Sequence, residues 1–238
     1  MKRFIGGIAV VALATGLVVE AASAQLAGNP VSAINPGVGV TLNGEFGRGV
    51  NDDSNKGNFY GGRIVLGVPM LSFWVGGGLY DTGLPNADSE VTLGGGAAFN
   101  LVKAPLLPVA LTLQVGGGTV GCGTDCSNLN FVAGPALRIN LPTPGIGIEP
   151  WVMPRVQLSR LSAGNETVTQ TGIGASAGLN INLPMGLGIH GTVDFANLPE
   201  QTSGILTVLE STPFTAGIGI HYKISVPSLG LPLVPVVN

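Results

Sequence analysis

Charge is scarce in this sequence. Charged residues make up 10% of the 238 and aromatics 5%, whereas soluble domains carry about a quarter charged residues. No basic cluster is present, which sets nucleic-acid binding aside. Beyond the N-terminal region no apolar run reaches the roughly 18 residues of a spanning helix. No Gly-Lys-Ser/Thr follows the glycine triplets at Gly76, Gly94 and Gly116, so they are not phosphate loops. The sequence calls for no cofactor and no resident metal. What it does hold is 45% hydrophobic residues and 39 glycines, a composition that a membrane-spanning chain without spanning helices can use only as a barrel.

Residues 1–24 read as a secretory signal. Lys2 and Arg3 form the charged start, Phe4 to Val19 is mostly apolar, and Ala22-Ser23-Ala24 is a small-residue cleavage site. Residues 25–36 are expected to be an N-terminal periplasmic segment, 37–224 the folded domain, and 225–238 a Pro-rich periplasmic tail. In an exported chain, Cys122 and Cys126 in a polar stretch most simply close a small disulfide ring. Only Asp125 is offered nearby as a further metal ligand, and a redox pair would more often be spaced C-x-x-C.

The mature chain divides into ten candidate strands: Gly37–Phe46, Phe59–Val68, Leu71–Tyr80, Glu90–Val102, Val109–Gly118, Leu129–Leu141, Ile146–Leu158, Val168–Leu183, Leu187–Ala196 and Thr212–Ile224. Each alternates by parity, and most have the length a tilted crossing of a hydrocarbon layer needs. Long polar segments alternate with short proline-marked turns such as Pro69-Met70 and Pro184-Met-Gly186. This predicts an all-β fold, a closed antiparallel up-and-down transmembrane β-barrel of about 10 strands, with 8 or 12 as the alternatives and both termini on the short-turn side. A soluble exported β-sandwich is the rival.

Charge decides which face is which. One parity is bulky and apolar; the other carries small and polar residues together with Glu45, Arg63, Glu90, Arg138, Glu149, Arg155, Asp194 and Lys223. A basic residue on a lipid face costs roughly 2–4 kcal/mol near the midplane, so the second parity is expected to face the lumen. There four acids meet four bases, which must pair or stay wet. Trp74 and Trp151 are candidates to pack across the lumen against glycine-rich wall. Phe46, Tyr60, Tyr80, Phe131, Phe195 and Phe214 near the long-loop side, and Phe73, Phe99 and Tyr222 near the short-turn side, suggest two sparse interfacial belts.

In the last strand, Thr215, Gly217, Ile220 and Tyr222 follow a polar-x-Gly-x-x-apolar-x-aromatic pattern. This resembles the sorting signal of bacterial outer-membrane β-barrels, and the whole pattern is similar to the small OmpA/opacity-like class. The chain departs from the usual form by continuing to Asn238. The resemblance implies location in the outer membrane, with membrane lipid and the barrel-assembly machinery as partners. It leaves any surface ligand unnamed.

The leading functional reading is a non-enzymatic envelope protein, structural or binding through its long loops. A narrow passive porin for small solutes is the first alternative. An outer-membrane enzyme is the second: His190 and His221 lie on the inward parity of adjacent strands with Asp194 nearby, and ten-stranded proteases of the omptin type exist. Those rely on acidic pairs and a histidine near the outer rim, whereas His190 and His221 are expected towards the short turns.

Overall fold

The computed structural model describes residues 26–34, 37–54, 56–83, 87–103, 108–121, 126–204 and 206–224. The expected signal segment, Cys122 and the tail from 225 lie outside the described residues. Ten long strands follow one another: β1 (Gly39–Gly49), β2 (Asn58–Gly67), β3 (Leu71–Asp81), β4 (Glu90–Lys103), β5 (Val109–Gly121), β6 (Cys126–Ile139), β7 (Ile146–Ala163), β8 (Glu166–Asn182), β9 (Leu187–Asn197) and β10 (Phe214–Ile224). Each pairs antiparallel with the next, and β10 returns to β1 in register from Val40↔Ile224 to Gly49↔Thr215. The sheet therefore closes on itself with no free edge.

The parity is inside out relative to a soluble protein. Outward positions keep Val75, Leu93, Ile218 and Ile220 at 58–68% exposure, while inward positions bury Thr112, Gln114 and Gln157 completely. A continuous apolar exterior of this kind needs hydrocarbon around it. Three corrections to the sequence reading follow. First, the polar segment between the seventh and eighth strands is not a long loop, because β7 and β8 run on to a tight turn at Gly164-Asn165, where Gly164 has φ +58°. Their 18 and 17 residues lift this part of the wall above the rest of the rim. Second, Tyr80 points inward and is buried against Ala27 and Val120, so it belongs to no interfacial belt.

The third correction concerns the segment before the barrel. Residues 26–34, expected in the periplasm, run inside the lumen. Leu26, Ala27, Val31 and Ile34 are each at most 4% exposed. Ala27-Gly28 makes a turn closed by Asn29 N donating to Leu26 O at 3.0 Å, and Ser32, Ala33 and Ile34 lie nearer the short turns, in one cavity with Gly186 and Lys223. Val31 and Ala33 pack with Val132, Ala136, Trp151 and Met153, while Leu26 and Ile34 pack with Phe59, Val65, Trp74 and Ala98. The apolar residues on the inward parity thus have an apolar partner, and the segment is a plug.

Candidate functional site

The site is the lumen, built from the plug and the wall groups that hold it. Every buried backbone donor or acceptor of a non-helical segment needs a partner, and wall side chains supply several. Ala27 N donates to Thr92 Oγ1 at 3.1 Å; Ile34 N donates to Gln114 Oε1 at 2.8 Å, and Gln114 Nε2 returns a bond to Ser32 O at 2.9 Å. The plug is held much as a bound peptide is.

Two buried ion pairs complete the grip. Glu45 on β1 and Arg63 on β2 pair directly, and Arg63 Nε donates to Glu45 Oε1 at 3.0 Å. The other carboxylate oxygen, Oε2, accepts from Asn29 Nδ2 of the plug at 2.7 Å. Arg63 also lies over the Trp74 ring at 5.6 Å. Further round the wall Arg155 makes a bidentate pair with Asp194, Nη1 to Oδ1 at 2.7 Å and Nη2 to Oδ2 at 3.0 Å, and Ser176 Oγ donates to Asp194 Oδ1 at 2.6 Å. The backbone of Val31 in the plug is hydrogen-bonded to Asp194 as well. Buried charges are tolerated only when paired and further hydrogen-bonded, and here the plug supplies part of that bonding at both carboxylates.

Below the plug, towards the short turns, lies a cavity of about 390 Å³. Asn43, Asn180, Asn182, Glu149, Lys223 and both histidines line it. The His190 and His221 rings stack at 5.7 Å between centroids, inclined by 23°. His190 Nε2 is 3.5 Å from Glu45 Oε1, and His221 Nε2 lies 3.0 Å from Asn182 Oδ1. No cluster of three or more metal-ligating side chains occurs among the described residues.

The lumen charges expected from the sequence divide into separate groups. Glu45 with Arg63 and Asp194 with Arg155 are the two pairs. Arg138 is buried, donates to Thr112 Oγ1 at 2.9 Å, and feels the charge of Glu149. Glu90 opens β4 at the long-loop rim beside Gly121, and Lys223 stays exposed at the opposite end. Asp194 does not join the two histidines, since Arg155 and Ser176 occupy its oxygens. The His/Asp grouping that the enzyme alternative requires is therefore not assembled in this arrangement. Of the last-strand motif, Thr215 and Gly217 face the lumen and Ile220 and Tyr222 face outward; a Cβ at Gly217 would press on Pro30 of the plug.

No family model matches the sequence, and no curated protein matches it. Among solved structures the chain is similar to the outer membrane protease OmpT from Escherichia coli, at 8% identity and TM-score 0.44, over 82% of this chain and 99% of that one. It is also similar to the N-terminal β-barrel domain of OprF from Pseudomonas aeruginosa (13%, TM-score 0.35, 78% and 96% covered). A third is the translocator domain of the autotransporter NalP from Neisseria meningitidis (11%, TM-score 0.42, 94% and 96% covered). The closed barrel itself rests on the strand register of this chain.

At the long-loop end the described residues of the first and last loops are tied together. Val50 N donates to Phe214 O at 2.8 Å, Asn51 bonds Thr212 O and the Phe214 N–H, and Asp53 Oδ2 accepts from both the N–H and the hydroxyl of Thr212 at 2.7 Å. These bonds hold the Asp53 carboxyl below its ordinary value of 3.8. The last loop folds a small hairpin, Gln201–Ser203 with Leu206–Val208, whose Leu206 packs on Leu161 and Val168 of the raised wall. Gln170 Nε2 pins that loop through Pro199 O and Leu209 O at 2.9 and 3.1 Å.

Proposed function

We propose that the protein is an integral, non-enzymatic outer-membrane barrel, closed by its own residues 26–34, that acts through the surface at its long-loop end. The observation that carries this reading is the occupied lumen: the plug is buried, and the carboxylates of two ion pairs bond it to the wall. The bonds that hold the first and last loops support a binding platform, because pre-ordered loops lose little conformational entropy when they meet a partner. Planar-bilayer conductance of the refolded mature protein tests it. The folded protein should be silent, and a variant lacking residues 26–34 should pass current. Steady steps from the intact protein sink the plugged reading.

The passive-porin reading retains one supporting observation, the polar cavity open towards the short turns. It requires the plug to leave, and conductance that appears only at high applied voltage would favour it. Cys122 and Cys126 are proposed to form the small disulfide ring where β6 begins; alkylation detectable by mass only after reduction is the expected result, and alkylation without reductant refutes it.

A further inference from the structure

On the outside of the wall, between β8 and β1, the apolar surface is interrupted by a trough of about 640 Å³. Its cause is side-chain size. Gly191 points outward between Ile218 and Leu179 in one row across the strands, and the next row towards the long loops carries Ala216, Val193 and Ala177. Leu179, Ile218 and Val193 thus stand around a floor lowered by Gly191 and the two alanines. The same row ends at Arg48, which pairs in register with Ala216 and lines the trough.

Arg48 is anomalous on this face. It is exposed and outward on β1, one residue from the strand's end. None of the ion pairs among the described residues involves it. An arginine on a lipid face is tolerated near the interface but gains nothing from hydrocarbon, and its fork of donors matches a phosphate. An apolar slot running towards mid-membrane with a guanidinium at its interfacial end has the polarity of one lipid molecule.

The geometry points to a binding site for a single phosphate-headgroup lipid in the leaflet at the long-loop end. One acyl chain lies over Gly191 between Ile218 and Leu179, and the phosphate is held by Arg48. This rests on the barrel being membrane-embedded, and it adds a specific ligand to that reading.

The full mature chain, reconstituted in nanodiscs of equal parts phosphatidylglycerol and phosphatidylcholine and released into mild detergent, should retain one lipid by native mass spectrometry. Phosphatidylglycerol should be favoured by about fivefold, the size of one basic residue's attraction for an acidic headgroup. Arg48→Gln should bring the ratio to about one while retention persists. Gly191→Leu should remove retained lipid of both kinds. Its added Cβ meets nothing nearer than Gly217 O at 3.9 Å, so the barrel should still fold, as heat-modifiable migration would check. Retention of no lipid, equal retention of both lipids by the wild type, or a preference that survives Arg48→Gln overturns the site. Failure of the wild type to insert at all overturns the membrane reading beneath it.

Discussion

Glu45 on the barrel wall accepts a hydrogen bond from Asn29 of the plug at 2.7 Å, on the oxygen opposite the one that binds Arg63. Wall and plug share one carboxylate. Asn29→Ala should cost about 1–3 kcal/mol, the usual penalty for stranding a buried polar partner. Glu45→Ala should cost about 3–5 kcal/mol, because Arg63 is then left buried and uncompensated. Urea titration read by heat-modifiable gel migration measures both, and equal losses would contradict the assignment.

The Arg155–Asp194 pair is open to a double-mutant cycle. Either Arg155→Met or Asp194→Leu alone should destabilise by about 3–5 kcal/mol. The double variant should recover much of that loss, since no unpaired charge remains. Additive losses would mean that the two residues act independently.

Acid should loosen the clamp between the first and last loops. The Asp53 carboxyl is held below 3.8 by the Thr212 hydroxyl and N–H, so its stabilisation is present in full above that value and is lost as pH falls through the depressed one. The group is exposed, so the contribution is no more than about 0.5 kcal/mol. Exchange of the Thr212 amide should therefore gain protection as pH rises through the depressed value and past 3.8, beyond the intrinsic pH dependence, as about one group ionises. Asp53→Asn should abolish that titration.

Trp151 occupies space that Gly178 leaves open, and a Cβ at Gly178 would overlap its ring. Gly178→Val should cost about 1–3 kcal/mol by overpacking and shift the tryptophan emission. Gly191→Val, on the outer face, should do neither.

The strands were legible because parity survives along all ten: Val109, Leu111, Leu113 and Val115 on one face of β5 and Thr112 and Gln114 on the other leave little choice. The histidine stack was legible in the same way, as both residues share a parity on neighbouring strands. The plug was not. Leu26 to Ile34 shows no period, contains Asn29 and Pro30, and precedes the first alternating run, which describes a linker equally well. Its signal lay elsewhere, in Phe59, Val65, Val132 and Met153, apolar residues on the otherwise polar parity that demand an apolar partner inside the barrel. Ion-pair partners were also hidden, because Glu45 could have met any of four bases until the register placed Arg63 beside it.

The plug is most directly tested by thiol accessibility at its centre. With Cys122 and Cys126 replaced by serine, Val31→Cys in the folded, vesicle-inserted barrel should resist a membrane-impermeant maleimide and react fully after denaturation, because Val31 is 1% exposed. Rapid labelling of the folded protein, at the rate seen in the denatured one, would contradict a lumen closed by its own N-terminal segment.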